Sequence, residues 1–106
     1  MLVSKERGNE LLDYYSDLLT NHQVNILKDY FEDDLSMMEI SENYEISKSA
    51  VQDLISRSLK QLENYEKSLH LIENNTKIKL IIEEMCNSND VSLKQYGQKL
   101  NKIIRR

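Results

Sequence analysis

The chain has 106 residues, 30% of them charged, a net charge of −4, no proline, two glycines and a single cysteine. That length suits one domain and is short for two. The scarcity of turn residues argues against a many-stranded sheet, a lone Cys86 excludes an internal disulfide, and no run approaches the ~18 apolar residues of a membrane span.

An all-α fold is therefore expected, read as a single domain over 1–106 with a core over 9–60, a helix continuation over 61–73 and a C-terminal helical segment over 74–106. The first predicted element is "NELLDYYSDLLT", where Leu11, Leu12, Tyr15, Leu18 and Leu19 fall at helical spacing with Asp13 and Asp17 opposite. Thr20 with Gln23 then forms a capping box, in which the hydroxyl takes an orphan backbone N–H and the Gln side chain reaches back. The helix it opens should bury Val24, Leu27, Tyr30 and Phe31 and end in "EDD", with His22 exposed in its first turn. Ser36 with Glu39 repeats the box and starts a short helix, to about Asn43, that turns Met37, Met38 and Ile40 inward. Ile46 plugs the turn that follows, and Ser47 caps the next helix.

From Val51 the apolar positions step by four and three through Ile55, Ser58, Leu62, Tyr65, Leu69 and Ile72, a heptad seam with Ser58 its one polar member. A helix from Lys48 to about Glu73 would run ~39 Å at ~1.5 Å per residue. Its second half needs a cover, either the chain's own C-terminal helices or a second copy meeting it at Leu62, Tyr65, Leu69 and Ile72; both remain open, and a homodimer is the expected solution. "NNT" at 74–76 and "NSND" at 87–90 read as interruptions, the second followed by an Asp90 cap and a last helix bearing Leu93, Tyr96, Leu100, Ile103 and Ile104.

Charge is split along the chain. Residues 1–46 hold three bases against eleven acids, residues 47–106 eleven bases against seven, so an acidic total conceals a basic half that begins at Ser47. A short helix joined by a tight turn to a long one at that point has the outline of a helix-turn-helix, whose second helix meets base edges through its N-terminal residues. Here that face comprises Ser47, Lys48, Ser49, Gln52, Asp53, Ser56, Arg57 and Lys60, opposite Val51 and Ile55. Lysine and arginine suit phosphate, glutamine suits an adenine edge, and Asp53 requires a base amine or an arginine beside it. The same residue types also clothe any solvated helix.

"LTNHQVNILKDYFEDDLSMMEISENYEISKSAVQDLISRSLKQL" resembles the promoter-reading helix-turn-helix of bacterial sigma factors, without a wing. It is closer still to the small bacterial YlxM family, in the order of an aromatic-rich first helix, the Thr20–Gln23 cap, the helix-turn-helix and the continuation "LENYEKSL", over roughly residues 11–69. The resemblance implies a long recognition helix with a C-terminal helical extension, sigma-like DNA-binding architecture, a cytoplasmic protein linked to the signal recognition particle pathway, and no catalytic residues. Lys48 stands where the family usually has Arg, a point charge in place of a bidentate fork.

Two functions compete. One is a regulator that binds DNA or RNA; the other is an adaptor that contacts the particle's RNA or its GTPase through the same scaffold. The basic tail, with Lys94, Lys99, Lys102, Arg105 and Arg106, suits recognition of RNA by shape and phosphate. An enzyme is not expected: there is no Gly-rich phosphate loop, no nucleophile elbow and no metal-spaced cluster, His70 and Cys86 read as helix-face residues, and no cofactor is implied.

Overall fold

A computed structural model describes residues 4–104 and contains six α-helices and no strand among them. The helices are α1 (Lys5–Tyr15), α2 (Asn21–Phe31), α3 (Met37–Tyr44), α4 (Lys48–Leu69), α5 (Leu71–Cys86) and α6 (Val91–Ile103), with a 3₁₀ turn at Ser16–Leu18. Contacts gather into two compact units, the first ending at Leu69 and the second beginning at His70, where the sequence reading drew one domain.

In the first unit each helix start has a side-chain reason. Ser4 accepts from the Arg7 N–H and opens α1. Both expected capping boxes form, Thr20 with Gln23 for α2 and Ser36 with Glu39 for α3, removing orphan donors that would otherwise face water. The core lies where α1, α2 and α3 each meet α4. It is made of Leu11, Leu12, Tyr15, Ile26, Leu27, Phe31, Ile40, Val51, Ile55, Leu59 and Leu62. Ile26, not Val24, is the fully buried residue near the start of α2, and Met38 faces solvent.

Buried polar atoms are tied across helices. Ser58 sits wholly inside the unit, and its hydroxyl accepts from Gln23 Nε2 at 3.1 Å; the same Nε2 reaches Gln61 Oε1 at 3.2 Å, and Gln61 Nε2 donates to Tyr65 Oη at 2.7 Å. Gln23 thus caps α2 and fastens it to α4. Truncating Gln23 to Ala removes both roles at once and should cost about 1–3 kcal/mol, measured by urea denaturation. A loss below ~0.5 kcal/mol would mean that water substitutes for the side chain.

The length of α4 departs from expectation. It stops at Leu69 instead of continuing to Glu73, because His70 adopts a left-handed conformation with φ 55°. The "NNT" stretch does not interrupt a helix but lies inside α5, where Thr76 Oγ1 donates back to the Ile72 carbonyl and Lys77 pairs with Glu73 one turn away. The first helix starts four residues earlier than expected and gives way at Ser16 to the 3₁₀ turn, leaving Leu18 exposed. In the second unit, α5 and α6 pack side by side, Asp90 capping α6 by accepting from the Ser92 and Leu93 N–H groups.

Candidate nucleic-acid interface

The corner between α3 and α4 is built by Glu45, left-handed at φ 55°, and by the Ile46 N–H, which donates to the Ser41 carbonyl at 3.1 Å. This closes α3 in the manner of a C-terminal cap and swings the chain so that Ser47 can start α4. The Ser47 hydroxyl accepts from the Ala50 N–H at 3.0 Å and lies 3.2 Å from the Ser49 hydroxyl. Val51 and Ile55 then face inward at zero exposure. By the helical period the opposite face must point outward, and Ser47, Lys48, Ser49, Gln52, Asp53, Ser56, Arg57 and Lys60 are all exposed. Ser49, Gln52, Asp53, Ser56 and Lys60 form the ridge, with Lys48 on one flank and Arg57 on the other.

Arg57 meets the expected need of Asp53: its Nε lies 3.1 Å from Asp53 Oδ2, one turn apart on the surface. The pair holds the guanidinium along the helix and offsets a carboxylate that would otherwise face any anion. Beside it an open concavity of about 350 Å³ is lined by Gln23, Ala50, Asp53, Leu54, Arg57 and Ser58.

The flank toward α3 has the opposite character. From Asp29 to Ser47 the sequence has no lysine or arginine, and Glu39, Glu42 and Glu45 are exposed there. Tyr44 donates to Asp29 Oδ2 at 2.9 Å, and its phenol is pushed above the usual tyrosine range by burial and then by that carboxylate. On the far side Arg7 donates to Glu63 at 2.8 Å and to Glu10 at 2.9 Å. The hydrogen bond to Glu63 is the main reason its guanidinium holds its proton still more firmly.

The residues assigned to a two-copy seam do not form one open stripe. Leu62 is fully buried, and Tyr65 packs its ring 6.1 Å from that of Tyr15. The cause is α1, which lies along the second half of α4 and is tied to it by Arg7–Glu63 and by Tyr15 donating to Glu66. Leu69 is exposed at the end of α4, and Ile72 belongs to the second unit. Of the basic tail, Lys94, Lys99 and Lys102 are exposed on α6, while Arg105 and Arg106 lie outside the described residues. Gln23 is the residue that sequence reasoning placed but did not fully read: its spacing from Thr20 announces a cap, and nothing local announces the reach to Ser58. Among the described residues no group of His, Cys, Asp or Glu could hold a metal ion, and no helix is long and apolar enough to cross a membrane.

A short helix and a long one at a tight corner, the second presenting its N-terminal half to solvent, define a protein of the helix-turn-helix class. Residues 2–103 match the UPF0122 family, described as "Putative helix-turn-helix protein, YlxM / p13 like", and the chain belongs to that family. Similar relatives are UPF0122 proteins of Clostridium perfringens, 42% identical over 89% of this chain and 90% of theirs, and of Oceanobacillus iheyensis, 36% identical over 97% and 99%. A UPF0122 protein of Lactococcus lactis is 43% identical over 74% of this chain and 71% of its own.

Proposed function

We propose that this protein binds nucleic acid through the N-terminal face of α4 and acts as a regulatory protein of the signal recognition particle pathway. The observation that carries the binding is the exposed ridge from Ser47 to Lys60, flanked by Lys48 and Arg57 and backed by a core that fixes its orientation. Lys48, Arg57 and Lys60 supply phosphate contacts, and Gln52 supplies a donor and an acceptor to a base edge. The role requires neither a catalytic residue nor a cofactor. The pathway rests on the YlxM resemblance.

A salt titration against duplex DNA and against the particle's RNA tests the proposal. The logarithm of the binding constant should fall linearly with that of salt, by about 0.9 for each duplex phosphate engaged. Lys48→Ala with Arg57→Ala should weaken binding about 10–100-fold and flatten the slope by about 2. Binding to neither nucleic acid, or binding unchanged in the double variant, would overturn it.

A second reading, an adaptor in which the same scaffold contacts the particle's GTPase rather than its RNA, is favoured by the acid flank of α3. Phosphates are unwelcome beside Glu39, Glu42 and Glu45, whereas a basic protein surface would fit them. Capture of the GTPase that survives Lys48→Ala and is lost on Glu42→Lys would select this reading.

A further inference from the structure

The hairpin of α5 and α6 is poor in core. Among its described apolar side chains only Ile72 and Ile82 are buried, in a unit below the ~40 residues at which a chain usually needs a further device, such as oligomerisation, to hold its fold. The helices approach closely at one point: a Cβ on Gly97 would lie 2.9 Å from Met85 Cβ and 3.0 Å from the Cys86 backbone nitrogen. From that contact, helical arithmetic places six of the exposed apolar side chains to one side of the hairpin, Leu71, Leu80 and Val91 not being among them. On α6 they are Leu93, Tyr96, Leu100 and Ile103, spaced three, four and three, as in a coiled-coil seam. On α5 they are Ile78 and Ile81. All six are exposed, Tyr96 at 59% and Ile103 at 74%.

We infer that this face, rather than the second half of α4, is where two copies of the chain pair. The six side chains expose on the order of 650 Å² of mainly apolar surface, a large part of the ~800 Å² each partner gives to a standard interface and above what most monomers leave bare. Charge selects the occupant and its arrangement. α6 carries Lys94, Lys99 and Lys102 and no acid, whereas α5 carries Glu73, Glu83 and Glu84 against Lys77 and Lys79, of which Lys77 is already paired with Glu73, so that α5 is acidic toward its C-terminal end. Two α6 helices face to face would repel; α6 of one copy against α5 of the other attracts, and a twofold axis satisfies both contacts at once. The product is a four-helix bundle made from two hairpins. It does not depend on whether α4 binds nucleic acid.

Sedimentation velocity of the full chain over a concentration series tests this. The wild-type chain should be dimeric at micromolar concentration, and Leu100→Glu with Ile103→Glu should raise the dissociation constant at least ~100-fold, since each carboxylate would be buried without a partner. Glu84→Lys, and separately Lys99→Glu, at the two charges that flank the apolar face, should each weaken pairing about three- to tenfold, while an equimolar mixture of the two variants should recover it. Both residues are exposed, so that arm does not depend on tolerance of a core change. A wild-type monomer at tens of micromolar, a dimer unaffected by Leu100→Glu with Ile103→Glu, or a mixture no tighter than its components would each overturn the inference.

Discussion

Replacing Leu62 by Ala is expected to destabilise the first unit by about 2–5 kcal/mol, and by the same amount at every protein concentration. The side chain is fully buried, so its loss forfeits the transfer free energy of three carbon atoms and leaves a cavity that the helices only partly close. Concentration independence is the discriminating part. A residue in a seam between two copies would show a midpoint that rises with protein concentration and a variant that loses this dependence. Leu62 is covered within one chain, and denaturant titrations at 1 and 100 μM, each roughly chosen to bracket ordinary dimer affinities, should give the same difference between wild type and variant. A difference that grows with concentration would return Leu62 to an intermolecular contact.

The second large effect is expected at Gly8. It lies inside α1, where Ala is favoured over Gly by about 1 kcal/mol, so propensity alone predicts that Gly8→Ala stabilises. Packing predicts the reverse: a Cβ at this position would fall onto the Phe31 ring. That ring is itself buried and held edge-on 5.0 Å from Tyr30, over which Lys5 lies at 3.4 Å from the ring centroid. Overpacking of this kind costs about 1–3 kcal/mol. Gly8→Ala should therefore be net destabilising by about 1 kcal/mol and Gly8→Val by about 3 kcal/mol, since the branched residue adds volume and loses rotamer freedom. Thermal melts rank the three chains, and a melting temperature for Gly8→Ala above wild type would show that Phe31 has room to turn away.

The parts of the fold that were legible in the sequence are those decided by neighbours three or four residues apart. Thr20 with Gln23 and Ser36 with Glu39 form the boxes their spacing announces, and Ser47 and Asp90 cap as expected. The outward ridge of α4 follows from Val51 and Ile55 facing inward. What was not legible depends on partners far along the chain or on conformations that residue type does not signal. His70 ends α4 without a glycine or proline to mark the place, although a left-handed conformation costs a residue with a Cβ roughly 1 kcal/mol. Asn74 and Asn75 look like a break, yet their propensity cost of well under 1 kcal/mol each does not outweigh the helix around them. Ser58 looks like a flaw in an apolar seam; Gln23, thirty-five residues away, makes it a satisfied core position. Tyr65, read as a contact between copies, is taken up instead by Tyr15.

The exposed glutamates around the corner, set against Lys48, Arg57 and Lys60, give the motif a gradient of potential across a width of only two helices. A polyanion nearing such a surface feels a torque before it feels contact: the α3 edge is turned away and the α4 edge is drawn in. In proteins steered this way, field shape governs the frequency of correctly oriented encounters more than the lifetime of the complex. On the proposed reading, neutralising Glu42 and Glu45 should quicken association of a nucleic acid without slowing its release, which assigns these two side chains to the approach and the ridge to the lifetime of the complex.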